Sequence, residues 1–178
     1  LQIKDDAVLI SNCETTHDGM PLFSSMMDIT RSIGMKNKYN VVAWANADIK
    51  LFSDVPYALT QLNSIASTDW FAAAGRYDTK QVLPGTNILQ SSVKHAAGGF
   101  DFFAWNNPVR NPVRLPYPPF VRTANQWDNW LINEAGTTRL VVDITDVATV
   151  QHIDHPPRAH VGSLPKGSSP WGEITYGG

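Results

Sequence analysis

A carboxylate at the end of an apolar run is the feature of this chain best suited to chemistry. Val41-Val42-Ala43-Trp44-Ala45 reads as a β-strand, and it stops at Asn46-Ala47-Asp48 before apolar Ile49. Open α/β sheets place ligands just beyond the carboxyl ends of their strands. There Asp48, with the side-chain oxygen of Asn46 two residues earlier, could hold a divalent metal against a diphosphate. The same tripeptide also suits an ordinary strand end and polar turn. Its weight therefore depends on what else reaches that place.

Several other residues could. His152 and His155 flank Ile153-Asp154. On an irregular segment one imidazole could reach a metal or a diphosphate, or the pair could simply cap loops. His-x-Asp-His also fits a zinc-dependent hydrolase, which needs a third protein ligand and an open position. The nearest further histidine is His160, beyond Pro156-Pro157. Asp128 stands between Trp127 and Trp130 at a helix start. It is either an N-cap worth about 1 kcal/mol or a general base for an acceptor hydroxyl. Asp101 follows Gly98-Gly99 and sits beside aromatics. It suits the binding of donor or acceptor hydroxyls, with Gly99 letting a sugar ring approach the backbone. Arg76 can pair with a phosphate or, two residues on, with Asp78.

Composition limits the partners. At 178 residues the chain can bury a sizeable core. With 43% hydrophobic residues, 17% charged residues and a net charge of -2 it has no basic stripe for nucleic acid. No apolar run approaches the roughly 20 residues that span a bilayer. The single cysteine, Cys13, excludes an internal disulfide. Six tryptophans, several near Asp or Asn, fit a carbohydrate site in which rings stack on sugar faces, and they fit core filling equally well.

The elements that must position these residues alternate. Ala7 to Ser11 reads as a buried strand, followed by a polar loop to Gly19. Pro21 opens a helix over Leu22 to Ile33, with apolar residues at spacings of three and four and Gly34 as its stop. The strand at 41–45 follows, then a helix over Val55 to Ala66 capped by Asp54. Phe71 to Ala74 and Phe100 to Trp105 read as strands, with a long loop over 79–98. Residues 108–119 carry five prolines and must be an extended connector. A helix over Asp128 to Ala135 and a strand at Leu140 to Val142 complete an α/β pattern. Residues 156–178 read as a Pro-, Gly- and Ser-rich tail wrapping the surface of one domain spanning 1–178.

In order, the chain carries Gly19-Met20-Pro21-Leu22-Phe23, Trp44-Ala45-Asn46-Ala47-Asp48-Ile49, Gly75-Arg76-Tyr77-Asp78 and Gly99-Phe100-Asp101-Phe102-Phe103. Gln126-Trp127-Asp128-Asn129-Trp130-Leu131, Val142-Asp143-Ile144-Thr145 and Gln151-His152-Ile153-Asp154-His155 follow. This series resembles the GT-A-type nucleotide-sugar glycosyltransferases of algae, plants, fungi and large algal viruses over about residues 5–178. The resemblance implies a Rossmann-like fold with a mixed central sheet, a nucleotide-diphosphate sugar donor, a glycan acceptor and manganese or magnesium.

On that pattern Asp48, His152 and His155 would serve the metal, and Asn46, Arg76 and Asp101 the donor and its diphosphate. Asp128 would be the base of an inverting transfer, with Trp127, Trp130 and Gly99 around the acceptor. Two departures stand out. Asn46 replaces the first Asp of the usual Asp-x-Asp motif, and the first strand-helix units, which bind the base, are missing. At about 30 residues per unit, roughly 60 residues would precede the sequence. Besides the zinc hydrolase, a glycan-binding module without catalysis is the competing expectation. Metal-dependent nucleoside diphosphate binding separates it from a transferase.

Overall fold

Strands that are apolar on both faces are stable only where both faces are covered. Trp70 to Ala74 and Phe102 to Trp105 are such runs, and all nine residues are buried. The computed structural model describes residues 13–15, 21–46, 48–79, 92–95, 99–117 and 127–153. In chain order these form α1 (Phe23–Lys36), β1 (Val41–Ala45), β2 (Ile49–Leu51), α2 (Asp54–Ile65), β3 (Trp70–Gly75) and β4 (Tyr77–Thr79). Then come β5 (Val93–Lys94), β6 (Phe100–Asn106), α3 (Trp127–Ala135), β7 (Leu140–Asp143) and β8 (Val150–Ile153).

One sheet has the order β1-β6-β3-β7, with β6 antiparallel to both neighbours and β7 parallel to β3. Its register sets Phe71 opposite Trp105 and Ala73 opposite Phe103. These side chains pack with Phe23 and Met27 of α1 and Trp127, Leu131 and Ala135 of α3. The alternate residues Trp70, Ala72, Ala74, Phe102 and Ala104 pack with Val55 and Leu62 of α2. Helices thus cover both faces of a mixed sheet. The protein is mixed α/β, with three helices among the described residues.

A second mixed sheet has the order β2-β8-β4-β5, in which β4 and β8 run parallel. β1 leads to β2 through residues 46–48, and β3 leads to β4 through Arg76. Two chain segments therefore leave the first sheet and enter the second close together. Where β3 ends, its pairing with β6 shifts register between Ala74 and Gly75. This seam between the sheets carries the polar side chains of interest.

The structure corrects several sequence expectations. α1 runs past Gly34 to Lys36, because Gly34 serves close packing rather than a helix stop. A Cβ there would lie 2.5 Å from Val42 Cγ1 and 2.8 Å from Pro108 Cβ. Asp54 is the first residue of α2 rather than its cap, and its carboxylate accepts a hydrogen bond from the Thr149 hydroxyl. The expected loop over 79–98 contains β5 and begins at the last residue of β4. The strand expected at 7–11 and the tail at 156–178 lie outside the described residues. Among the described residues no helix is long and apolar enough to cross a membrane.

Candidate functional site

The site is best built from the end of β1. Because β1 and β6 are paired, the Asn46 N–H donates to the Asp101 carbonyl at 3.1 Å, and the Asn46 side-chain amide donates to Asp101 Oδ1. The other carboxylate oxygen of buried Asp101 accepts from Arg76 Nη1 at 2.6 Å. Arg76 then reaches forward with Nε to Asp78 Oδ1 at 2.8 Å. Burial works against the Arg76 charge, but its bonds to Asp101 and Asp78 outweigh this and raise its pKa.

Asp78 is the hub. Its Oδ2 lies 2.6 Å from His95 Nδ1, and its Oδ1 lies 3.1 Å from His152 Nδ1. Burial alone would raise the Asp78 pKa, yet the hydrogen bonds from His95 and Arg76 hold it below the ordinary carboxylate value. On the other side of His152, Nε2 stands 3.9 Å from Asp48 Oδ2. That is longer than a hydrogen bond. It is within the span of two metal–ligand bonds of about 2.1 Å each.

Asp48 and His152, more than a hundred residues apart in sequence, are therefore neighbours, and Asn46, Arg76 and Asp101 join them through Asp78. His152 lies in β8, not on an irregular segment, with its Cα registered against Asp78 on one side and Ile49 on the other. Directly opposed residues in a sheet share a face, so this pairing turns the imidazole toward Asp78. His155 lies outside the described residues.

The residues expected around an acceptor are placed differently. Trp127 is a core residue, with its ring 4.8 Å from Trp44, 5.4 Å from Phe23 and 5.5 Å from Phe103. Trp130 is partly buried against the same core. Of the six tryptophans, Trp70 and Trp105 are fully buried as well. The aromatic content thus largely reflects packing. At Gly99 a Cβ would lie 2.7 Å from His95 Cδ2, so this glycine makes room for the imidazole rather than for a sugar ring. Asp128 is the second residue of α3, and its Oδ2 accepts from the Phe100 N–H at 3.4 Å. It ties α3 to the start of β6, beside Asp101.

Sequence reading missed Asp78 as the hub and His95 altogether. The signal for Asp78 was present: in extended chain Arg76 and Asp78, two apart, share a face. His95 follows only Val93-Lys94 in a segment without periodicity, and nothing in its neighbours marks it.

Among the described residues no three His, Cys, Asp or Glu side chains are placed to hold a metal together. A complete zinc set of the hydrolase type is therefore absent from the described residues. Asp48 and His152 nonetheless stand side by side, a carboxylate oxygen facing an imidazole nitrogen at 3.9 Å. No protein-family model, curated protein or solved structure matches the chain.

Proposed function

We propose that this protein transfers a sugar from a nucleoside diphosphate donor to a hydroxyl of a glycan acceptor, with a divalent metal at Asp48 and His152. The observation that carries the reading is the 3.9 Å approach of Asp48 Oδ2 and His152 Nε2 beyond the carboxyl end of β1. Charge supports it further. Asp78 and Asp101 both bond the Arg76 guanidinium, and Asp48 lies on the far side of His152, so carboxylates outnumber guanidinium groups here and would repel a bare diphosphate.

Manganese or magnesium bound there would neutralise the diphosphate as it leaves. Around that point Asn46 and Arg76, fixed by Asp101, line the donor side. Asp128 is the candidate base: it would take the proton of the acceptor hydroxyl while that oxygen bonds to the anomeric carbon and the bond to the diphosphate breaks. Such direct displacement inverts the anomeric centre.

The test is calorimetric titration of a panel of nucleoside diphosphates, with manganese and with chelator, followed by a sugar-donor screen. Binding that requires the metal, and transfer lowered about a hundredfold to a thousandfold in Asp48→Asn, is expected. Metal-independent glycan binding with no nucleoside diphosphate binding would instead leave a carbohydrate-binding module. Zinc-dependent hydrolysis would leave the hydrolase.

A further inference from the structure

We infer that Asp78 is a positioning residue that fixes the His152 ring, with the proton on Nδ1 and Nε2 presented toward Asp48. A neutral imidazole carries one N–H and one lone pair, and an ionised carboxylate can only accept. With Asp78 Oδ1 at 3.1 Å from Nδ1, the proton belongs on that nitrogen. Nε2 is then the nitrogen presented toward Asp48 Oδ2, 3.9 Å away.

Asp78 is itself held from several directions, as a positioning group must be. Arg76 Nε fixes Oδ1 and His95 Nδ1 fixes Oδ2. The His95 backbone N–H donates to the Arg76 carbonyl at 2.9 Å, which closes the arrangement into a ring. Parallel pairing of β4 with β8 sets the Cα atoms of Asp78 and His152 opposite one another. A carboxylate behind a histidine fixes its tautomer and raises its basicity toward a metal. Asp78 would act through His152 rather than as a ligand of its own.

The inference rests on the reading of Asp48 and His152 as the metal pair, but its first measurement uses neither metal nor substrate. Long-range proton–nitrogen correlation on histidine-labelled protein, above the imidazole titration range, reports which nitrogen of His152 is protonated. The Nδ1–H form is expected in the wild type and its loss in Asp78→Ala. Calorimetry with manganese alone should show affinity falling about 10- to 100-fold in that variant. A wild-type His152 protonated on Nε2, or a tautomer and manganese affinity unchanged in Asp78→Ala, overturns the inference. Should Asp78→Ala fail to fold, the wild-type tautomer decides alone. The Nδ1–H form together with an absence of nucleoside diphosphate binding would sink the transferase reading and leave the positioning role intact.

Discussion

The imidazole of His95 lies against the backbone of Gly99, where an added Cβ would stand 2.7 Å from Cδ2. Because the obstacle is a half-exposed side chain, it can swing away. Gly99→Ala should therefore leave the fold within about 1 kcal/mol of wild type while breaking the bond between His95 and Asp78. Chemical denaturation and the nitrogen shifts of His95 check the two halves of that expectation. An unmoved His95 would mean that the backbone of 99 yields instead. For Asp128 the expected dissociation is between stability and turnover. In Asp128→Asn the amide oxygen can still accept from the Phe100 N–H, so unfolding should change by less than about 1 kcal/mol. Transfer should fall about a hundredfold or more, the usual worth of a positioned base. Unchanged turnover would leave Asp128 as the tie between α3 and β6. These two residues also show where sequence reading of the site stops. Asp48 stands out because an apolar run ends beside it, and His152 because His155 and Asp154 accompany it. Gly99 looks like a space left for a ligand, and only the fold shows that His95 fills it.

At the scale of elements, β1, β3, β6, α1 and α3 were legible because each has one dominant period or an unbroken apolar run. The short strands of the second sheet were not. β2, β4, β5 and β8 are two to four residues long. In so few residues alternation cannot be told from chance, and their stability comes from neighbours rather than from their own sequence. Arg139 was also invisible, as a single cation before a strand. Its guanidinium is buried and donates to the carbonyls of Trp70, Asn106, Asn107 and Arg110 and to Asn106 Oδ1, so it clamps the start of β3 to the end of β6. Burial lowers its pKa, with Asp69 acting in the opposite sense. No apolar side chain can replace it, because its acceptors, four of them backbone carbonyls, stay behind. Arg139→Met should cost about 2 to 4 kcal/mol in urea unfolding. Arg139→Lys should recover only part of that, since one ammonium cannot span the same acceptors. A Lys variant as stable as wild type would show that charge, not the planar fork, holds the strand ends.

Across the whole molecule, the first sheet is covered by α1 and α3 on one side and α2 on the other, and the connector through Tyr117 closes part of the α1 side. The Tyr117 ring meets Phe23 edge-on at 5.9 Å, and its hydroxyl donates to Asn111 Oδ1 at 3.3 Å. Burial, and secondly the negative charge of Asp28, push the Tyr117 pKa from 10.0 up to about 12. The sign follows from linkage. The folded protein holds the phenolic proton more tightly than the unfolded chain, so this contribution is fully present below pH 10 and is lost as pH rises toward about 12. Lysines and arginines also titrate at alkaline pH, so the useful quantity is a difference between variants. Unfolding free energies of wild type and Tyr117→Phe, measured from pH 8 to 12, should run parallel up to about pH 10 and then converge or cross as the wild type falls more steeply. Parallel curves throughout would mean that folding does not raise the phenol's pKa and that the ring is not buried as described. The connector would then not be part of what keeps the α1 side of the sheet closed.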